Sequence, residues 1–141
     1  MPTRIARTAW NGGLQDGQGQ VELTSSKVGT YDVSFPRRAA DDAGGVTSPE
    51  ELIAAAHSSC FSMALSHALA ENGTPPERVN TSASVTFKPG VGITGSHLNV
   101  NADVPGLTAE KFQEIADGAK SGCPVSQALA GIEITLEATL A

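Results

Sequence analysis

An uncharged stretch from Leu52 to Leu65 constrains the fold of this chain more than any other part of the sequence. Just before it, Ser48 and Glu51 form a capping-box pattern, which predicts that a helix begins there. Two prolines after Thr74 prevent the helix from continuing, so we expect it to end at about Glu71. A helix without a polar face is stable only when it is buried on all sides. The sequence therefore predicts a long buried central helix, part of which is covered by a second subunit.

The segments on either side of this helix have the periodicity of strands and short helices. Three strands are expected before it, at 5–10, 20–24 and 28–35, followed by a loop at 36–47. Two strands follow it, at 79–87 and 93–104, and then a helix that begins after Thr108 and ends near Lys120. Cys123 is expected to cap another helix through Ala130, because Pro124 suits a first helical position. A strictly alternating strand at 132–139 completes the order βββ-α-ββ-αα-β, which indicates a single α+β domain over residues 1–141 with a largely antiparallel sheet.

The charge and hydropathy of the chain exclude several classes of partner. Its formal net charge is −6 and its basic residues are scattered, which argues against a nucleic-acid partner. The first ten residues contain no long apolar run, so a secretory signal is not expected. The Ala-rich segment from Leu52 to Ala70 contains two His and several Ser, so no membrane span is expected either. We therefore expect a cytoplasmic protein.

The function depends on whether the two cysteines are inert core residues or a redox pair. Two are too few for a disulfide framework, and their spacing is not that of a zinc site. Cys60 lies in the middle of the uncharged helix, where burial alone would raise the pKa of its thiol and make it a poor nucleophile. It would therefore need a cation brought from elsewhere in the fold. Cys123, as a helix cap, is either a structural residue or a thiol whose ionised form is stabilised by the helix N-terminus.

Three charged residues near the start of the central helix have both an ordinary and a functional interpretation. Glu50 is not needed for the capping box, so it is either a solvated first-turn acid or the partner of a guanidinium. Arg37 and Arg38 lie in the predicted loop before it. Each is either solvated or a source of permanent positive charge for a thiolate.

Two histidines flank Cys60 on the same helix. His57 precedes Cys60 by three residues and His67 follows it by seven. Without a second cluster of ligands, this spacing is weak evidence for a metal site. We interpret His57 as a polar residue packed beside Cys60 rather than as a catalytic base.

With these residues in place, the sequence resembles the OsmC/Ohr family of thiol peroxidases over nearly its whole length. Residues 47–66, from Thr-Ser-Pro-Glu-Glu to Ala-Leu-Ser, are similar to the family's central helix with its peroxidatic Cys. Residues 122–129, Gly-Cys-Pro-Val-Ser-Gln-Ala-Leu, resemble its resolving-Cys motif. His57 and the long loop at Arg38 point to the OsmC branch.

The resemblance implies a reaction and a set of site residues. It implies that Cys60 attacks an organic hydroperoxide, releasing an alcohol and leaving a sulfenic acid, and that Cys123 converts this acid to a Cys60–Cys123 disulfide. Glu50 would hold Arg38 against the Cys60 thiolate, with Arg37 as the fallback because Pro36 and Arg37 crowd the family motif. A dithiol, with lipoyl-type dithiols as one class, would restore both thiols, and no metal, haem or flavin is needed.

The resemblance also implies an intertwined homodimer with two active sites at the subunit interface and a role in oxidative-stress defence. Two other functions remain open from the sequence. The chain could be a thiol redox sensor or ligand-binding dimer without turnover, or a structural homodimer with inert core cysteines.

Overall fold

The computed structural model describes every residue from Met1 to Ala141, in two compact units, Met1–Leu52 and Ile53–Ala141. The elements follow in the order β1 (Arg7–Asn11), β2 (Gln18–Glu22), β3 (Thr30–Val33), α1 (Phe35–Arg38), α2 (Pro49–Glu71), β4 (Arg78–Lys88), β5 (Gly92–Asp103), α3 (Ala109–Gly122), α4 (Pro124–Ala128) and β6 (Glu133–Leu140). This is the predicted α+β order with one additional short helix, α1. The single-domain organisation stays a prediction.

The first unit is built on a three-stranded antiparallel sheet of β1, β2 and β3. Gly19 on β2 lies opposite Trp10 on β1. A Cβ at Gly19 would lie 2.3 Å from the carbonyl oxygen of Ala9 and 2.9 Å from the Trp10 ring. Only glycine therefore allows β1 and β2 to pair this closely.

The segment after β3 corrects one prediction. Strand β3 ends at Val33, and Phe35–Arg38 forms a helical turn instead of the end of a strand and the start of a loop. The side chain of Ser34 caps this turn by accepting a hydrogen bond from the Arg37 N–H at 3.4 Å. Pro36 suits the first helical turn because it has no N–H to satisfy. The turn places Arg38 at the end of α1.

Helix α2 begins and ends where the sequence predicts. The Ser48 hydroxyl accepts a hydrogen bond from the Glu51 N–H at 3.1 Å. The Glu51 carboxylate accepts from the Thr47 hydroxyl, so only half of the predicted capping box forms. At the other end, Gly73 adopts a φ of 82°, which favours glycine and terminates the helix.

The second unit contains β4, β5 and β6 in one sheet, in which β5 is the central strand. Strand β4 pairs with it antiparallel and β6 pairs with it parallel. The parallel pair arises because α3 and α4 carry the chain back across the sheet between β5 and β6. The α+β fold is confirmed, and three of its four strand pairings are antiparallel.

One face of α2 enters the core of the second unit. This core is formed by α2, β5 and α3, through Phe61, Leu65, Leu69, Leu98, Val100, Ala102, Phe112, Ala116 and Ala119. The other face of α2 is exposed in the single chain, and Met63 on it retains 68% of its accessible surface. Burial on all sides, as expected from the sequence, is therefore not achieved by one chain.

By length and composition alone, α2 could also cross a membrane. This is weak evidence, because the core helix of a globular domain meets the same criteria.

Candidate functional site

The second unit brings Cys60 and Cys123 together. Both are free thiols, and each side chain affects the pKa of the other. Cys60 lies on the middle of α2 and is partly exposed, whereas Cys123 is completely buried. Cys60 is therefore the more exposed residue of the pair.

The junction of α3 and α4 positions Cys123. Its N–H donates to the carbonyl oxygen of Ala119 at 2.9 Å, which closes α3, and Pro124 then begins α4. Cys123 is the N-cap of α4, as predicted, although its sulfur makes no capping hydrogen bond of regular geometry. The backbone N–H groups of Val125 and Ser126 nevertheless interact with this sulfur.

The two thiols differ in acidity. Burial raises the pKa of Cys60, and the adjacent Cys123 raises it further, against a smaller opposing effect of the Val125 N–H. Burial also acts to raise the pKa of Cys123. It is outweighed by the N–H and hydroxyl of Ser126, by the Cys60 thiol and by the Val125 N–H, so the net pKa of Cys123 is lowered. In the single chain Cys123 is therefore the thiol that ionises more readily.

His57 is completely buried one turn before Cys60, and both of its ring nitrogens have partners. Nδ1 lies 2.7 Å from the hydroxyl of Ser96 on β5, and Nε2 lies 2.8 Å from the hydroxyl of Ser126 on α4. Burial lowers the pKa of His57, so the imidazole is held neutral. It links β5 and α4 through hydrogen bonds, whereas His67 on the same helix is exposed.

The first unit contains an ion pair between Arg38 and Glu50. Arg38 Nε donates to Glu50 Oε1 at 2.9 Å, and a terminal guanidinium nitrogen donates to Oε2, also at 2.9 Å. The pair is bidentate, and the Glu50 side chain retains only 7% of its exposed surface. The hydrogen bonds that Arg38 donates to Glu50 raise the pKa of Arg38, which keeps the guanidinium charged. Arg37 does not take this place, because its guanidinium lies against Gly44.

Arg38 also forms part of the wall of a cavity of about 410 Å³ within the first unit. Most of the other lining side chains are apolar: Trp10, Leu14, Val21, Val33, Phe35, Pro49 and Leu52, with Thr8 and Ser34. This volume is in the range of small-molecule sites, which combine an apolar wall with a few polar groups.

The profile of the OsmC-like protein family matches residues 41–137 of this chain. The chain belongs to the OsmC family. The match includes Glu50, both cysteines, His57 and Ser126, so it covers most of the residues described above. The predicted family membership is confirmed.

Curated relatives support the assignment to this family. The chain is 42% identical over 131 residues to peroxiredoxin OsmC of Escherichia coli, covering 91% of this chain and 90% of that protein. It is 29% identical over 137 residues to an organic hydroperoxide resistance protein of Xanthomonas axonopodis pv. citri, covering 96% of each. The higher identity to the first relative agrees with the predicted OsmC branch.

Solved structures of the family share this fold. An organic hydroperoxide resistance protein from Legionella pneumophila superposes with a TM-score of 0.72 at 27% identity, covering 99% of this chain and 98% of that one. A second such protein, from Elizabethkingia anophelis, gives a TM-score of 0.73 at 27% identity, covering 100% and 98%. The OsmC fold predicted from the sequence is thus confirmed.

Proposed function

We propose that this protein is a thiol peroxidase that reduces organic hydroperoxides to alcohols in oxidative-stress defence. The observation that carries the proposal is the pairing of two free thiols, one partly exposed and one buried, in a chain of the OsmC family. The names of its relatives, a peroxiredoxin and an organic hydroperoxide resistance protein, support a peroxide substrate.

The proposed reaction begins at Cys60, which peroxide can reach. Its thiolate attacks one peroxide oxygen, the O–O bond breaks, and the other oxygen leaves and takes up a proton to give the alcohol. The resulting Cys60 sulfenic acid is then attacked by the Cys123 thiolate, and water leaves after protonation of the hydroxyl. A dithiol restores both thiols by exchange and becomes a disulfide itself. This sequence of steps uses no metal or organic cofactor.

Because burial raises the pKa of Cys60 in the single chain, the proposed reaction calls for an activating charge. Arg38 is the proposed source, because Glu50 orients it through two hydrogen bonds and keeps it ionised. A positive charge next to a thiolate lowers its pKa and favours the nucleophilic form. The proposed active site contains Arg38, Glu50, Cys60 and Cys123.

The cavity beside Arg38 supports an organic rather than an inorganic peroxide as substrate. Its apolar wall would bury a hydrocarbon group, which gains about 0.8 kcal/mol for each buried CH₂. Hydrogen peroxide has no such group and would gain nothing from the wall. We therefore expect hydroperoxides with a bulky apolar substituent to react most efficiently.

A homodimer is part of the same proposal. The exposed face of α2 combines Met63 with small uncharged side chains such as Ala56 and Ser59, a surface that is unfavourable in water. A second copy of the chain would cover it. The proposed enzyme is a cytoplasmic homodimer that uses a dithiol as its reductant, with lipoyl-type dithiols as one class.

Turnover of cumene hydroperoxide with excess dithiothreitol tests the proposal. Wild type should consume many equivalents, and Cys60→Ser should lose activity by more than about a thousandfold, as when an enzyme loses its nucleophile. Cys123→Ser should react once and then form an overoxidised Cys60 or a mixed disulfide. If wild type consumes a single equivalent and stops, the protein is a redox sensor. If mild peroxide leaves both cysteines unmodified by mass spectrometry, they are structural.

A further inference from the structure

The peroxidase chemistry uses the two sulfurs, but it does not explain why a neutral histidine is buried beside them between two serines. We propose that the hydrogen-bond chain Ser96–His57–Ser126 positions the Ser126 hydroxyl to stabilise Cys123 as the leaving thiolate when a dithiol opens the Cys60–Cys123 disulfide. His57 and Ser126 act in this proposal as positioning residues for the reductive half of the cycle. The inference rests on the proposed function, because the Cys60–Cys123 disulfide forms in the proposed peroxidase cycle.

The short distances and the burial of Ser96, His57 and Ser126 mean that each of their hydrogen bonds needs a defined donor and acceptor. His57 contacts Ser96 at 2.7 Å and Ser126 at 2.8 Å, and all three side chains are buried. Ser126 follows Cys123 by three residues on the first turn of α4, a spacing that brings an N-cap side chain next to the third helical residue. The Ser126 side chain accordingly interacts with the Cys123 sulfur.

One tautomer of His57 satisfies every group when Cys123 is ionised. A thiolate accepts hydrogen bonds, so the Ser126 hydroxyl must donate to it. The Ser126 oxygen is then an acceptor for the N–H on Nε2 of His57. Nδ1 in turn carries no proton and accepts from the Ser96 hydroxyl. The Cys123 thiolate thus selects this tautomer through Ser126, and Ser96 can satisfy Nδ1 in it because its hydroxyl is free to donate.

Accessibility determines which sulfur the reductant attacks. In the single chain Cys60 is partly exposed and Cys123 is completely buried, so a dithiol reaches Cys60 first. Its thiolate forms a bond to the Cys60 sulfur, the Cys60–Cys123 bond breaks, and the electron pair leaves on Cys123. The second thiolate of the reductant then attacks its own sulfur in the mixed disulfide, releasing Cys60 and a disulfide of the reductant. The first step is faster when the departing thiol is more acidic.

The lowered pKa of Cys123 agrees with this assignment, since the Ser126 N–H and hydroxyl are among its causes. The buried thiol is thus the better leaving group of the pair.

Substitution of Ser96 and Ser126 tests this hydrogen-bond chain, because the two serines contact different nitrogens of the His57 ring. Ser126→Ala should raise the pKa of Cys123. This pKa is measured from the thiolate absorbance as a function of pH in a Cys60→Ser background. The same substitution should also slow reduction of the disulfide by dithiothreitol roughly tenfold, the loss of one hydrogen bond to a charged group. Ser96→Ala is the matched control and should have a smaller effect on both measurements.

A second pair of variants separates positioning from folding. His57→Gln retains an N–H donor near the position of Nε2 and should keep most of the acidity of Cys123, whereas His57→Leu should lose it. An unchanged Cys123 pKa in Ser126→Ala would overturn the inference, as would equal effects of Ser126→Ala and Ser96→Ala. The disulfide can be formed with diamide, so these measurements need no peroxidase activity. If the wild type fails to reduce peroxide but Ser126→Ala still raises the pKa of Cys123, the proposed function is refuted and the inference about Ser126 stands.

Discussion

At the scale of single residues, the acidity of Cys60 is the property on which the proposed reaction depends. Burial and the neighbouring Cys123 both raise its pKa in the single chain, and nothing in the second unit supplies a compensating cation near neutral pH. Arg38 is permanently charged and held by a bidentate ion pair with Glu50, so it is the proposed source of that charge. In this proposal the acidity of the Cys60 thiol depends on a residue far away in the sequence.

Replacing each arginine of the adjacent pair tests this dependence. Arg38→Ala should raise the pKa of Cys60 and slow peroxide reduction near pH 7 by roughly a hundredfold, as when one positioned charge is lost. Arg37→Ala is the matched control and should leave both quantities unchanged. The Cys60 thiolate is measured by ultraviolet absorbance against pH in a Cys123→Ser background. A raised pKa in Arg37→Ala alone would move the role to Arg37, and no change in either would reject activation by arginine.

The sequence shows some of the site residues more clearly than others. The cysteines and Glu50 can be singled out because they occur in recognisable motifs or beside a helix cap. Ser126 lies inside such a motif, but its contact with His57 joins residues far apart in the chain. Ser96 occurs in an ordinary alternating strand and gives no local signal. A hydrogen bond between distant elements depends on how those elements pack, so local pattern cannot reveal it.

Burial of His57 also affects stability. Its folded-state pKa lies below the usual value of about 6.5, so on acidification the unfolded chain binds a proton before the folded one does. Stability is therefore expected to fall as the pH drops below about 6.5, with His57 contributing a slope of at most ~1.4 kcal/mol per pH unit. Urea unfolding between about pH 7.5 and pH 5 measures this slope. His57→Gln should flatten it relative to wild type, and His67→Gln, an exposed control, should not.

At the scale of elements, the signals at helix ends are the most successful predictors. Helices α2 and α3 begin directly after Ser48 and Thr108, as expected, since each hydroxyl accepts from an N–H three residues later. The one-turn helix α1 was not predicted, because Phe35 continues the alternation of β3 and obscures the cap at Ser34. The parallel pairing of β6 likewise depends on the route of the chain rather than on the strand's own sequence.

The cap of α2 provides a prediction at this scale. Ser48→Ala removes the acceptor for the Glu51 N–H and should lower the free energy of unfolding by about 1 kcal/mol. Ser48→Asp is the matched control and should retain most of the stability, because aspartate caps as well as serine. Both values come from urea unfolding at constant pH. Equal stability of wild type and Ser48→Ala would show that the Thr47–Glu51 hydrogen bond is sufficient to begin the helix.

At the scale of the whole molecule, the exposed face of α2 connects the fold to the proposed reaction. Its uncharged surface is suited to burial against a second chain, and in the proposed homodimer the active sites lie at that interface. If the residues of one site come from both chains, activity requires the dimer and not only the correct side chains. Oligomeric state and catalysis should then depend on each other.

Mixed dimers of two inactive variants test this dependence. Cys60→Ser retains Arg38, and Arg38→Ala retains Cys60, so a shared site can be complete in a mixed dimer although neither parent has one. When equal amounts are unfolded and refolded together, random pairing should restore about a quarter of the wild-type sites. Each variant refolded alone is the control, and turnover of cumene hydroperoxide is the measurement. Recovery no greater than the sum of the controls, in a dimeric sample shown by mass spectrometry to contain mixed pairs, would mean that each site is completed within one chain. A monomeric mass by light scattering at micromolar concentration would reject the dimer itself.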